Sequence, residues 1–221
     1  MLTPDSRIPN TGNHHVVLFG GAFNPPHIGH LIVIQQAFEM IPQIDELWLL
    51  PDNVGSFGKE LAPAQHRLAM CQLLINELPK YLHQGQVTNS SRFHGPGKLP
   101  GYKPKVDILS NSHPLKSDEF PLPPLDEPSS LVHLNSILID QQLTGETYEN
   151  LKILKTAYPS HSFSFLMGSD NVVNFAKWSH WQDLPKLMHF YIYPRNGHSP
   201  EKLYHNMSLL ESDTQVITNF S

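Results

Sequence analysis

The sequence predicts an α/β fold built on a doubly wound parallel sheet, and three observations lead there. Short apolar, β-branched runs alternate with longer segments of helical spacing, the pattern of parallel strands joined by right-handed crossovers. Three of those runs leave through polar or glycine-bearing exits, at Gly20, Gly168 and Pro194. Such exits are expected to gather at one edge of the sheet, where open α/β sheets hold ligands. The chain has 221 residues, 39% of them hydrophobic, which suits one large domain or one domain carrying an insertion.

The first run, His15-Val16-Val17-Leu18-Phe19, reads as a buried strand, and Leu31 to Phe38 reads as a helix. Between them lies Gly20-Gly21-Ala22-Phe23-Asn24-Pro25-Pro26-His27-Ile28-Gly29-His30. Glycines at such a junction let the backbone come close to a ligand. The unpaired N–H groups and the dipole of a helix start attract an anion, most often phosphate. His27 and His30, three apart, share a face if the helix has begun, and both could then donate to one phosphate. A tight turn with two surface histidines is the plainer alternative. A zinc site is disfavoured because no cysteine pair or acidic ligand lies nearby, and the G-x-G-x-x-G dinucleotide fingerprint is absent.

Glu46 to Pro51 forms a second expected strand, followed by the polar loop Asp52 to Gly58 and then Lys59, a candidate mobile cation reaching the site, the plainer alternative being a solvated surface lysine. Ala64 to Leu78 carries Leu68, Cys71, Leu74, Ile75 and Leu78 at helical spacing. Arg67 near its start opposes the helix dipole, which points to a partner, an anion or an acidic side chain. From about 86 to 130 the character changes: eight of the 20 prolines fall here without periodicity, the signature of an irregular insertion, with Val106 to Leu109 as one short strand candidate. Regular structure resumes with a strand expected over Leu131 to Asp140, a helix over Glu146 to Ala157 and a strand over Ser162 to Met167. That strand exits at Gly168-Ser169-Asp170-Asn171. Trp178 and Trp181 flank a helix expected to run to Met188, and Phe190 to Tyr193 is a strand closing at Pro194-Arg195-Asn196-Gly197.

The net charge of −5 argues against a general nucleic-acid or anionic-membrane binder. The single cysteine, Cys71, permits no internal disulfide and sits in an apolar helical pattern, so a buried packing role is expected in a reducing compartment. Residues 1–13 read as a flexible polar segment without a signal-peptide core, and no run is long enough to span a bilayer. A soluble cytoplasmic protein is the expectation, with its oligomeric state open.

Taken together, Gly20 to His30 resembles the G-G-x-F-[DN]-P-x-H-x-G-H signature of nucleotidylyltransferases, and within them the bacterial nicotinate (or nicotinamide) mononucleotide adenylyltransferases. Lys59 with Glu60-Leu61-Ala62-Pro63 and His66-Arg67-Leu68-Ala69-Met70 resembles the family's lysine loop and following helix. Thr144-Gly145-Glu146-Thr147 is similar to its threonine-bearing turn. Gly168-Ser169-Asp170, Lys177-Trp178, Trp181 and Pro194-Arg195-Asn196-Gly197 follow in the family's order. The resemblance implies a Rossmann-like single domain over 14–221, interrupted by the proline-rich insertion at 86–130.

It also implies transfer of AMP from ATP to a pyridine mononucleotide, with Mg²⁺ carried on the ATP phosphates and no metal ligand from the protein. His27, His30, Lys59 and Arg195 would be the catalytic groups. ATP would meet Gly20, Gly21, Ala22, Phe23, His27, His30, Gly168, Asp170 and Arg195. Asp170 would accept from ribose hydroxyls, or else serve as a helix N-cap. The pyridine nucleotide would meet Asn24, Lys59, Thr147 and Trp178, with Trp178 stacking on the ring and Trp181 left as packing. The family's closing Ile-Ser-Ser-Thr-x-Ile-Arg motif is matched here only in its first positions, by Phe220-Ser221, so part of the triphosphate site is either cut away or lost. The alternatives are a related transferase with another phosphorylated acceptor, such as phosphopantetheine or a polyol phosphate, and a weakly active nucleotide-binding scaffold.

Overall fold

The computed structural model describes residues 14–55, 58–78, 131–143, 146–198, 200 and 202–210. Six parallel strands form one sheet in the order β3-β2-β1-β4-β5-β6: β1 (His14–Gly21), β2 (Glu46–Pro51), β3 (Val132–Leu134), β4 (His161–Gly168), β5 (His189–Tyr193) and β6 (Met207–Leu209). All five pairings are parallel, with Val16 opposite Glu46 and Val17 opposite Ser164 in the registers of β1 with β2 and β4. The order of the strands reverses at β1, which lies between β2 and β4. That is the switch point where an open α/β sheet leaves a crevice beyond the strands' carboxyl ends.

The pleat sorts the strand side chains into two cores. Val17, Phe19, Leu47, Leu49 and Leu166 pack on one face under α1 (Ile28–Met40) and α2 (Ala64–Asn76), together with Ile34, Ala37, Cys71 and Ile75. Val16, Leu18, Trp48, Leu50 and Phe165 pack on the other, against α3 (Ile137–Asp140) and α4 (Thr147–Ala157), through Ile137, Leu151 and Leu154. Each such fully buried aliphatic side chain contributes about 1.5–3 kcal/mol relative to an exposed one. Cys71 is buried as expected, and burial pushes its thiol up to about 12, so it stays protonated.

Two expectations are corrected, and one strand is added. The run Leu131 to Asp140 is not one strand: β3 stops at Leu134, the Asn135 side-chain oxygen accepts the Ile137 N–H at 3.0 Å, and Ile137–Asp140 coils into α3. An apolar run this short suits either element, and the local Asn135 turn decides it. The helix expected to run to Met188 is broken. A 3₁₀ turn (Phe175–Lys177) ends at an extended Trp178, His180 takes a left-handed φ of 52°, and only α6 (Leu184–Leu187) is helical beyond it. Trp178 and Trp181 therefore do not share a helix face. Strand β6, three residues long, was not foreseen. The 86–130 stretch, Thr144-Gly145 and the Val216 to Ser221 tail lie outside the described residues.

At the amino ends of the strands, opposite the crevice, Glu46 is buried in a ring of partners. His14 Nε2 lies 2.8 Å from its Oε1, Trp48 Nε1 donates to Oε2 at 2.7 Å, and His133 Nε2 lies 3.5 Å from Oε2. These contacts hold the carboxylate below its usual range against the cost of burial, and Glu46 in turn raises the His14 imidazole.

Candidate active site

The switch-point crevice opens into a cavity of about 760 Å³ bounded by the ends of β1 and β4. His27, His30, Lys59, Asp170, Trp178 and Arg195 all reach its wall, as do Gly20 to Asn24, Thr147 and Gly168. The three strand exits thus meet at the carboxyl end of the sheet, as the sequence suggested.

The turn from β1 into α1 is held by the two histidines themselves. His27 is the N-cap, and its Nδ1 accepts the Gly29 N–H at 3.1 Å. His30, one turn on, accepts the His27 N–H on its own Nδ1 at 3.0 Å, closing a reciprocal capping box. The His30 N–H donates to the His27 carbonyl at 2.8 Å. Three N–H groups at this helix start, those of His27, Gly29 and His30, are therefore already paired, which corrects the expectation that such groups would be left over for an anion. What the turn offers instead is Nε2 on each ring. A backbone N–H can only donate, so both Nδ1 atoms must be bare acceptors and each neutral ring carries its proton on Nε2. Burial, then the neighbouring His27, and lastly Arg195 push His30 down to about 4; burial and Arg195 also lower His27. The site holds two neutral N–H donors, not a pair of imidazolium ions.

Phe23 sets the loop's path. It takes a left-handed φ of 43° while its ring is buried, 5.6 Å from Phe19 and 5.0 Å from the His30 ring between centroids. A bulky residue adopts that backbone only where packing over-determines it. At Gly20, which lines the cavity, a Cβ would strike the Phe165 ring, so its missing side chain admits that aromatic beside the crevice.

On the opposite lip, α5 (Ser169–Val173) begins at the end of β4, with Gly168 as its N-cap. Asp170 therefore sits inside the helix and does not cap it. The Arg195 guanidinium reaches Asp170 Oδ2 at 3.2 Å, and the Arg195 N–H donates to the buried Ser169 hydroxyl at 2.8 Å. Both side chains crowd over the bare α-carbon of Gly168, where a Cβ would lie 2.8 Å from Arg195 Nε. Asp170 Oδ1 is buried against the Gly168 α-carbon with no hydrogen-bond partner among the described residues. Trp178 is half-buried, its ring 5.3 Å from Phe175 at the back, while Trp181 packs on Tyr204 away from the cavity lining.

Arg67 has the acidic neighbour the sequence suggested, Asp52, and two backbone carbonyls besides. Its guanidinium is buried and donates to the carbonyls of Ala22 (2.9 Å) and Ala62 (3.0 Å). Asp52 offsets its charge from nearby. Asp52 itself lines the cavity, and burial pushes its carboxyl up to about 6 in spite of Arg67. The sequence reading passed over Asp52; the one available signal was an acid directly after a strand's carboxyl end. Among the described residues no group of three or more His, Cys, Asp or Glu side chains is arranged to hold a metal ion, and no helix is long and apolar enough to cross a membrane.

Comparison with known proteins agrees with this geometry. The chain is 27% identical over 190 residues to a probable nicotinate-nucleotide adenylyltransferase of Anaeromyxobacter sp. (strain K), covering 86% of this chain and 75% of the relative. A Myxococcus xanthus protein of the same description is 25% identical over 183 residues, covering 83% and 70%. In fold it is similar to the Plasmodium falciparum nicotinic acid mononucleotide adenylyltransferase complexed with NaAD, at a TM-score of 0.60 and 20% identity over 90% of this chain and 76% of that one. The cytidylyltransferase-like family matches residues 18–218, nearly the whole described domain, and the chain belongs to that family.

Proposed function

We propose that the chain transfers AMP from ATP to nicotinate mononucleotide, or to its amide counterpart, forming the dinucleotide and releasing pyrophosphate. The observation that carries this reading is the meeting of two Nε2–H donors, His27 and His30, with two cations, Lys59 and Arg195, in one switch-point cavity walled by Trp178 and Thr147. The names of the two bacterial relatives, and the ligand in the Plasmodium falciparum structure, support the same chemistry.

A phosphate oxygen of the mononucleotide attacks the α-phosphorus of ATP in line. The new O–Pα bond forms as the bond from Pα to the bridging β-oxygen breaks, and pyrophosphate leaves with that electron pair. No protein nucleophile is required, so the chain's task is to position the reactants and to neutralise charge. His27 and His30 donate to the triphosphate as neutral rings, a role their Nδ1 pairing prepares. Arg195, steadied by Ser169 and Asp170, holds phosphate oxygens from the β4 side, and Lys59 reaches in from the β2 side. Asp170 accepts from ribose hydroxyls. Trp178 offers an aromatic face to the flat pyridine, and Thr147 stands at the start of α4 beside it.

A divalent cation would arrive on the triphosphate, whose oxygens supply its ligands. Mg²⁺ bound in that way would draw charge from the phosphate oxygens. The test is pyrophosphate release from Mg·ATP with nicotinate mononucleotide, nicotinamide mononucleotide, phosphopantetheine or no acceptor. Release that requires a pyridine mononucleotide supports the reading, and release with phosphopantetheine alone, or none with any acceptor, overturns it.

A further inference from the structure

Two side chains join the segment that bears Lys59 to the loop that follows β1. Asn24 accepts the Ala62 N–H on Oδ1 at 2.9 Å and donates from Nδ2 to the Glu60 carbonyl at 3.4 Å. Arg67 donates to the Ala62 carbonyl and, 45 residues away in sequence, to the Ala22 carbonyl. Ala62 is thus held at both its N–H and its C=O, and the residues that hold it are themselves tied to the loop between Ala22 and Asn24. A guanidinium that is 1% exposed is costly to bury, and an aliphatic residue would fill the same helix-to-sheet contact without that cost. Its donors are what the position uses.

Lys59, by contrast, is exposed and sits on a flexible four-carbon stem, so its ammonium is only as well placed as the backbone that carries it. We propose that Asn24 and Arg67 form a brace that fixes the Lys59 segment over the phosphate-binding loop, making both positioning residues that act through Lys59. The carboxamide of Asn24 then faces the Glu60–Ala62 backbone and not the pyridine nucleotide. The inference rests on the adenylyl-transfer reading of the cavity, in which Lys59 grips a phosphate and a small misplacement is felt strongly in rate.

Two measurements on the full chain test it. The first needs no activity: amide hydrogen exchange at Ala62 and its neighbours in wild type, Asn24→Ala and Asn24→Asp. The aspartate keeps an acceptor for the Ala62 N–H. Exchange there should accelerate about tenfold or more in Asn24→Ala and stay near wild type in Asn24→Asp, with β4 amides unchanged in both. Unaltered exchange at Ala62 in Asn24→Ala overturns the brace. The second is a double-mutant cycle of Asn24→Ala with Lys59→Ala, read in kcat/KM. Each single change should cut the rate, and the loss from Asn24→Ala should nearly vanish once Lys59 is gone; losses that simply multiply overturn the proposal. Arg67→Met should show the same dependence on Lys59, and Asn24→Ala keeps the test sound should that variant fold poorly. A wild type that turns over no acceptor sinks the adenylyl-transfer reading, and the exchange measurement then decides the brace alone.

Discussion

The rings of His27 and His30 lie 4.0 Å apart between centroids, each accepting on Nδ1 a backbone N–H of the turn they occupy. One pair of bonds therefore caps the helix and fixes which nitrogen carries the proton. His30 is pushed down to about 4 and His27 is lowered as well, so burial and Arg195 favour the neutral form of both rings.

Removing one donor should be severe. His30→Ala is expected to lower kcat by about 10²-fold or more, the usual loss of a transition-state hydrogen bond, with a smaller change in KM for ATP. Steady-state kinetics on a variant whose circular dichroism matches wild type decide the matter. Near-normal turnover would remove His30 from the mechanism.

The pH–rate profile carries a second expectation. Because His27 and His30 are both shifted down, kcat/KM should show no inflection near 6.5 that disappears in His30→Ala. An inflection near 6 belongs to Asp52 instead and should vanish in Asp52→Asn. Raised above its unfolded value, Asp52 binds its proton more tightly when folded, so it lowers stability as pH rises through about 4 to 6 and keeps it lowered above that. Asp52→Asn should accordingly raise Tm at pH 8 more than at pH 5, measured by calorimetry.

The Glu46 cluster predicts a different pH dependence. Raised His14 contributes stability that is complete below its unfolded value and fades as pH climbs through its folded one. Lowered Glu46 contributes above its unfolded value and fades as pH falls through its folded one. The pair is therefore strongest between about 4.5 and 6.5. His14→Gln should cost about 1–3 kcal/mol near pH 6, because it leaves the buried Glu46 carboxylate without its nearest cation, and less at pH 8 in urea unfolding. Equal losses at both values would contradict the ion pair.

Gly168→Ala probes the other lip of the cavity. A methyl there displaces Asp170 and Arg195 together, and KM for ATP is expected to rise about tenfold or more. Trp178→Ala should instead raise KM for the pyridine mononucleotide, with Trp178→Phe recovering much of the loss because a flat aromatic face remains. Titration of each substrate at saturating levels of the other separates the two outcomes.

The sequence by itself determined the strand–loop–helix at Gly20 to His30, the parallel alternation of elements and the order of the polar strand exits. Each is written in a short-range pattern: β-branched runs, helical spacing, glycines and prolines at fixed offsets. Tertiary structure decided the rest. Whether Ile137 to Asp140 coils or extends depends on Asn135 and on the core into which Ile137 and Leu138 pack. Strand β6 has three residues and no periodicity, and exists because β5 presents an unpaired edge to it. Arg67 finds Ala22, and Arg195 finds Asp170, across 45 and 25 residues of chain. The protonation of Asp52 and of the two histidines follows from what buries them. Contacts of that range are set by how the sheet closes around its switch point, and no local pattern encodes them.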